Sequence, residues 1–285
     1  MKALIQYREM RVADIAESMR LCRAAGWNQL PRDWEQFLRL SPHGSRLALR
    51  DEQVVGTVTT IEYGDHFAWI GMMLVDPSLR RQGVGTRLMH EALNMLGDQQ
   101  TIRLDATPVG REVYLKLGFV DEYGLSRMET VVSDRIVRNE HNPARPMTAD
   151  DLPPVCVFDA KVFGADRRAM LEWSLEGAPE YAWIVRDEGR VAGYCFGRRG
   201  FNFEHLGPMV AEEPLVARQL ALACLSGRAG RPFALDVMHH DADWRRWLQS
   251  IGFKQQRPFI RMVRGENRYP GLPEKQFAIL GPEFG

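Results

Sequence analysis

Two arginines and two glycines stand close together in Arg80-Arg81-Gln82-Gly83-Val84-Gly85-Thr86. Residue types at this spacing suit anion binding. A helix N-terminus leaves about four backbone N–H groups unpaired and carries roughly half a positive charge. Glycines at 83 and 85 let the backbone close on an anion with no side chain in the way, and Arg80 and Arg81 add charge suited to a diphosphate. Two common phosphate loops do not fit. The dinucleotide fingerprint needs a third glycine where Leu88 stands, and the Walker pattern needs a Gly-Lys-Ser/Thr that is absent. Taken alone, the segment also reads as a plain strand-to-helix turn with two solvated arginines.

The elements around the loop decide how it is held. Val12–Ala25 has Ile15, Met19 and Cys22 at helical spacing, and Pro31–Leu40 reads as a second short helix. Leu47–Arg50, Val54–Tyr63 and Ala68–Val75 are rich in Val, Thr, Ile and Leu and are broken by Asp51-Glu52 and Gly64-Asp65. They read as a three-stranded antiparallel meander. The loop follows the third strand and opens a helix over about Thr86–Leu96. A strand at Ile102–Ala106, a helix over about Gly110–Leu117, a Gly118-Phe119 break and a strand near Ser126–Val132 complete the unit.

The organisation then repeats. Arg145-Pro-Met-Thr-Ala-Asp-Asp-Leu152 echoes Arg8-Glu-Met-Arg-Val-Ala-Asp-Ile15, and Gly207-Pro-Met-Val210 echoes Gly71-Met-Met-Leu74. Leu235-Asp236, Gly252-Phe253 and Arg261-Met262 echo Leu104-Asp105, Gly118-Phe119 and Arg127-Met128. The pairs come in order at a nearly constant offset, so the 285 residues read as two copies of one fold. The expected division is residues 1–133, a polar linker at 134–145, a second copy at 146–264 and a tail at 265–285.

Composition narrows the function classes. Lys and Arg total 37 against 37 Asp and Glu, so the net charge is zero and a sequence-independent grip on nucleic acid is disfavoured. No apolar run approaches the 18 residues of a membrane span, and the opening Met-Lys-Ala-Leu-Ile-Gln-Tyr-Arg lacks a signal peptide's apolar stretch. Cys22, Cys156, Cys195 and Cys224 have no zinc spacing and read as reduced core thiols. In His239-His240-Asp241 the histidines lack i,i+4 spacing, so Asp241 reads as a helix N-cap rather than a metal ligand. The expectation is a cytoplasmic protein without metal, membrane or nucleic-acid partners. Its oligomeric state is left open.

Arg80-x-x-Gly83-x-Gly85 after a strand ending in Val75-Asp-Pro resembles the coenzyme A pyrophosphate loop of the GNAT superfamily of N-acetyltransferases. Leu104-Asp-Ala-Thr-Pro-Val-Gly-Arg-Glu-Val-Tyr114-Leu-Lys-Leu-Gly118-Phe119 is similar to that family's later strand and helix, and the element order agrees. The resemblance implies a mixed α/β (α+β) fold of two GNAT-like domains. Each would hold a mostly antiparallel sheet flanked by helices, with one splayed strand pair. It implies acetyl-CoA as cosubstrate, lying between Ala68–Val75 and Ile102–Ala106. The pantetheine would meet backbone groups of Met73, Leu74 and Val75. The pyrophosphate would accept from N–H groups of residues 81–86, which include Arg81, Gln82, Gly83, Val84, Gly85 and Thr86.

The implied activity is acetyl transfer to a primary amine of a small metabolite by direct attack in a ternary complex. The amine must be neutral, the thioester carbonyl polarised and the leaving thiolate protonated. A strand N–H near Leu74 suits the second need. By resemblance Tyr114 supplies the third, its alternative being a buried anchor for its own helix. Candidates on the acceptor side are Trp27 and Asn28, in the loop that covers this site in the family. The carboxylates Glu62 and Asp105 are also candidates, as is Glu283 should the tail reach the first cleft. No base is singled out, because the family often relays the proton through water. Asp105 also reads as structural, since Asp236 repeats it in the second copy.

That second copy reads as degenerate. Glu212 and Glu213 fall where an anion should bind, no Gly-x-Gly follows, and Leu248 stands where Tyr114 stands in the first copy. Its expected role is scaffold or a wall of the acceptor pocket. The tail carries one strand-like run, Phe277–Leu280. Two other function classes remain open at this point. One is a sensor that binds acetyl-CoA without turnover, and the other is a structural partner protein in which the loop is incidental.

Overall fold

The computed structural model of the chain describes residues 4–97, 99, 101–136 and 140–285. Met1–Ala3, part of the N-terminal reading, and residues 137–139 of the expected linker lie outside the described residues. The first copy runs β1 (Gln6–Glu9), α1 (Ile15–Ala24), α2 (Pro31–Leu40), β2 (Ser45–Arg50), β3 (Gln53–Tyr63) and β4 (Phe67–Val75). It continues through α3 (Val84–Leu96), β5 (Thr101–Ala106), α4 (Pro108–Leu115) and β6 (Val120–Val131). The second repeats this order as β7 (Arg145–Pro146), α5 (Leu152–Phe163), α6 (Arg168–Gly177), β8 (Trp183–Asp187), β9 (Arg190–Arg198) and β10 (Glu204–Ala211). It ends in α7 (Pro214–Leu225), β11 (Pro232–Met238), α8 (Ala242–Ser250) and β12 (Lys254–Gly265). A further short strand, β13 (Gln276–Ala278), lies in the tail.

Local chemistry explains the repeats. Arg8 grips Asp14 with two hydrogen bonds of 2.8 Å, and Asp14 also accepts from the Arg11 N–H at the entry to α1. Arg145 grips Asp151 in the same way, and Asp151 accepts from the Thr148 N–H at the entry to α5. The echoed letters therefore specify a helix start held by an arginine six residues upstream. Pro31 occupies the first turn of α2, where its missing N–H costs nothing, and Trp34 and Phe37 bury one face of that helix.

Among the described residues the strands form one continuous sheet in the order β1-β2-β3-β4-β5-β12-β6-β11-β10-β9-β8-β7, with β13 beside β10. The last strands of the two copies are exchanged. The second copy's β12 lies against β5, with Ile260 opposite Ala106, and the first copy's β6 lies against β11, with Leu125 opposite Met238. The two exchanged strands pair with each other at the centre of the sheet. The expected division at 134–145 follows the chain, but each half of the sheet is completed by a strand from the other copy.

Two buried ion pairs cross with the strands. Arg127 of β6 donates to both oxygens of Asp236 on β11 at 2.9 and 2.7 Å, and His205 lies 2.9 Å from the same carboxylate. Arg261 of β12 donates to both oxygens of Asp105 on β5, each at 2.9 Å. The shared core adds to this join. Phe163, Met170 and Trp173 of the second copy pack with Trp34, Phe37 and Trp69 of the first, and the tail residue Phe284 stacks on Phe37 at 4.7 Å.

Burial works against the Asp236 charge, but Arg127 and His205 outweigh it and hold the carboxyl well below the ordinary aspartate value. A depressed folded-state pKa stabilises the protein above the unfolded value of about 3.9 and is lost as pH falls below it. Asp236→Ala strands the buried Arg127 cation, so it should cost about 3–5 kcal/mol of stability. Denaturant titration should read this loss as a lower midpoint at neutral pH. The deficit relative to the parent protein should shrink as the pH is lowered below about 4.

Candidate active site

The functional site is a cleft made by two strands that part. The parallel strands β4 and β5 pair only at Ala68 with Ile102 and at Trp69 with Arg103. Beyond Trp69 they diverge. A bulge in β4 drives this: three steps from Gly71 to Leu74 face two steps on β3, and Met72 takes a φ of +48°. Thr57 Oγ1 donates to the Met72 carbonyl at 2.7 Å and fixes the bulge. Ile70, Met72 and Met73 line one wall of the cleft, and Leu104, Thr107 and Tyr114 line the other.

The glycine loop sits at the far end of β4, joining Val75 to α3. Asp76 Oδ1 accepts from the Ser78 N–H and hydroxyl and shapes the turn. Arg81 and Gly83 both have positive φ, +62° and +86°, so the chain turns sharply into α3 through left-handed backbone. Arg87 makes the first helical bond, to the Gly83 carbonyl, and no described residue accepts from the N–H groups of residues 81–86. Gly85 has ordinary helical backbone. A Cβ there would lie 3.4 Å from Val75 Cγ2, so its smallness serves close packing of α3 on β4. Arg80, Arg81, Gln82 and Thr86 are exposed, whereas Val84 is buried and anchors the helix start.

Tyr114 is half-buried on α4 and stacks obliquely on Phe119, with ring centroids 6.1 Å apart. Thr107 caps this helix by accepting from the Gly110 N–H at 3.2 Å. Burial pushes the Tyr114 phenol up to about 12. It therefore stays protonated at neutral pH and can donate a proton into the cleft.

The expected carboxylates fare differently. Burial raises the Asp105 pKa and Arg261 opposes it, but both oxygens of Asp105 are held by Arg261. Asp105 lines the cleft as part of a structural ion pair and is not a free base. Glu62 is a correction: it is exposed near the end of β3, on a separate depression beside Arg168. Its neighbours Ile61 and Tyr63 point into the core, so strand alternation sends Glu62 the other way. Glu283 does reach the cleft, carried by the tail. Trp69 Nε1 donates to the Pro282 carbonyl at 3.0 Å and Tyr63 Oη donates to the Phe284 carbonyl at 2.6 Å. The tail backbone passes so near Gly71 that a Cβ there would meet the Glu283 carbonyl at 2.4 Å.

Trp27 lines the cleft. Asn28 is also a wall residue, but its amide is committed to bracing. Its Nδ2 donates to the Phe203 carbonyl at 2.9 Å and its Oδ1 accepts from the N–H groups of Asn202 and Phe203. Asn28 therefore ties a second-copy loop over the first cleft. Several lining residues were missed in sequence: Gln29, Arg127, Arg257 and Phe259. Gln29 Nε2 and Arg198 Nη2 converge on Glu283 Oε1 at 2.8 and 2.5 Å, and Oε2 has no side-chain partner among the described residues. Burial works against the Glu283 charge, but Arg198 and Gln29 outweigh it and hold the carboxyl below the ordinary glutamate value. The cleft encloses about 110 Å³.

Comparison with known proteins agrees with this geometry. A model of the acetyltransferase (GNAT) family matches residues 12–119, and a model of the acetyltransferase (GNAT) domain matches residues 155–278. The chain belongs to the GNAT acetyltransferase family. It is 28% identical to the holothin acyltransferase of Pseudoalteromonas sp. (strain SANK 73390), over 92% of this chain and 88% of that protein. A candidate acetyltransferase from Pyrococcus horikoshii superposes with a TM-score of 0.82 at 25% identity, over 100% of this chain and 99% of that one. A tandem GNAT protein from the clavulanic acid biosynthesis pathway shares the fold, with a TM-score of 0.63 at 15% identity over 91% and 98% of the two chains. The chain is thus a tandem GNAT acyltransferase.

The GNAT fold implies acetyl-CoA as cosubstrate, and the first domain fits it. Unpaired N–H groups at 81–86 suit a diphosphate, and the β4 edge past Trp69 lacks a strand partner on the β5 side. The second GNAT domain has the same splay, since β10 and β11 pair only at Glu204 with Phe233 and at His205 with Ala234. There the gap is filled by the chain itself. In it β13 pairs with β10, the Ile279 N–H donates to the Asp236 carbonyl, and Trp244 Nε1 donates to the Phe277 carbonyl. Glu212 is exposed and ion-paired with Lys275, Pro214 removes an N–H from the start of α7, and Leu248 is fully buried. Asp241 caps α8 by accepting from the Trp244 N–H at 2.8 Å. Among the described residues no helix is long and apolar enough to cross a membrane.

Gly83 at φ +86° is where a side chain meets backbone strain, about 1–2 kcal/mol. Gly83→Ala should therefore weaken acetyl-CoA binding by about tenfold in isothermal calorimetry, with the far-UV spectrum unchanged.

Proposed function

We propose that this GNAT protein transfers the acetyl group of acetyl-CoA to a primary amine of a small molecule, by direct attack with both substrates bound in the first-domain cleft. The observation that carries the reading is a cleft that is lined by a protonated Tyr114 and by Glu283 and whose β4 wall runs on into the loop with unpaired N–H groups at 81–86. The zero net charge supports a metabolite over a charged polymer. The name of the Pseudoalteromonas relative supports acyl transfer.

Acetyl-CoA supplies the acetyl thioester when bound. The N–H groups of residues 81–86, with Arg80 and Arg81, hold its diphosphate. Backbone groups of Met73, Leu74 and Val75 would hold the pantetheine, and a strand N–H near Leu74 would polarise the thioester carbonyl. Tyr114 gives its proton at the thiol end of the cleft. Glu283 stays ionised and orients the amine through Oε2, while Trp27 covers the acceptor. The amine proton leaves to water, because Asp105 is fully engaged by Arg261.

Tyr114→Phe should lower kcat by about 10²–10⁴-fold with little change in acetyl-CoA affinity. A phenol at about 12 is an acid that is lost only as pH rises toward that value. The parent protein should therefore show no alkaline decline assignable to Tyr114 below about pH 11. The test is a thermal shift with acetyl-CoA, followed by free-thiol release with a panel of amines. No shift would defeat both the enzyme and the sensor, and a shift without turnover on any amine would favour the sensor. A Tyr114→Phe variant at full rate would remove the phenol from the mechanism.

A further inference from the structure

The charges around the acceptor end of the cleft do not cancel locally. Arg127 is charge-balanced, because Asp236 accepts from its Nε and Nη2. Asp105 is likewise balanced by Arg261. On one side Arg198 serves two carboxylates, Asp33 at 3.0 Å and Glu283 at 2.5 Å, which leaves that side one negative charge in excess. On the other side stands Arg257, half-buried on β12. Its Nε donates to the Gln256 amide at 3.0 Å, and no described carboxylate lies within ion-pair distance. Its guanidinium lies 5.5 Å from the centre of the Phe259 ring, so it faces an apolar wall as well as the cleft. Burial and the like charge of Arg127 hold its pKa below the ordinary arginine value, and the more distant carboxylates of Asp236, Glu283 and Glu129 only partly offset them.

We propose that the acceptor is an amine that also carries a carboxylate, with the carboxylate held by Arg257 and the amine directed to Glu283. The inference rests on the acetyl-transfer reading above and names its substrate class. Several features of the site point the same way. Among the described residues neither Nη group of Arg257 has a hydrogen-bond partner, so the pair can grip a planar anion in the bidentate manner that guanidinium favours. Glu283 Oε2 is open at the negative side. A pocket with one unpaired cation and one excess anion complements a zwitterion, and a simple alkylamine would leave Arg257 half-buried and unmatched. Arg257 comes from the exchanged strand β12, so the second GNAT domain sets acceptor choice in the cleft of the first.

The experiment compares a set of α-amino acids, their carboxamides and matched aminoalkyl phosphates as acceptors, read as kcat/KM by free-thiol release. The acids should exceed their carboxamides by about 10- to 100-fold. Arg257→Gln should collapse that ratio toward one by raising KM for the acids, and Arg257→Lys should keep part of it. Each variant's acetyl-CoA thermal shift should match the parent's, which excludes misfolding as the cause. Carboxamides that equal the acids, a ratio that survives Arg257→Gln, or phosphates that outperform carboxylates would each overturn the proposal. Failure of the acetyl-transfer reading looks different, since it removes the acetyl-CoA shift itself.

Discussion

The reciprocal exchange of the last strands, locked by two crossed Arg–Asp pairs, is the constraint on which the rest of the molecule depends. Arg127 reaches Asp236 and Arg261 reaches Asp105, each from one copy into the other. Breaking either pair leaves a buried charge without its partner, which proteins tolerate poorly. The exchange makes one continuous sheet of two copies that could each have closed alone. It also brings Arg127, Arg257 and Phe259 to the first cleft. A division of labour into two independent domains therefore understates the case, because part of the first cleft's wall comes from the second copy's β12.

The same fold treats its two clefts in opposite ways. Both have a parallel strand pair that meets for two residues and then parts. In the first domain the gap lies beside a helix N-terminus with free N–H groups. In the second, Pro214 starts the helix, Leu248 replaces the tyrosine, and β13 supplies the hydrogen bonds that a ligand would otherwise make. The chain then runs on from β13 to deliver Glu283 to the first cleft. One tail thus fills the second cleft and builds a wall of the first.

Much of this was legible in the sequence. The boundaries of α2 matched because Pro31 marks the start and Trp34 and Phe37 mark the buried face. The meander was legible from its β-branched runs, and the repeat from its echoed dipeptides. The short strand β1 was not, since Gln-Tyr-Arg-Glu carries no apolar alternation and is defined only by pairing with β2. The strand exchange was not legible either. Local pattern tells which residues face a core but not which copy supplies the neighbour. The letters of the crossed pairs were in view as Leu104-Asp105 with Arg127-Met128, and Leu235-Asp236 with Arg261-Met262. Two such sets in tandem allow both a local and a crossed pairing. Glu62 was misplaced for a simpler reason, since sequence gives a side chain's chemistry but not which face it takes, and for Asn28 it did not show that the amide's hydrogen bonds are already committed.

The exchange also sets an order on synthesis. Strand β5 is made early, yet the strand that covers its edge is β12, more than half the chain later. Until β12 is available, the first copy has an open sheet edge and Asp105 lacks its guanidinium. An exposed edge of this kind is where chains stick to one another. The N-terminal half therefore cannot reach its final strand pairing as it emerges, and it must wait, protected or at risk, for almost the whole protein to be made.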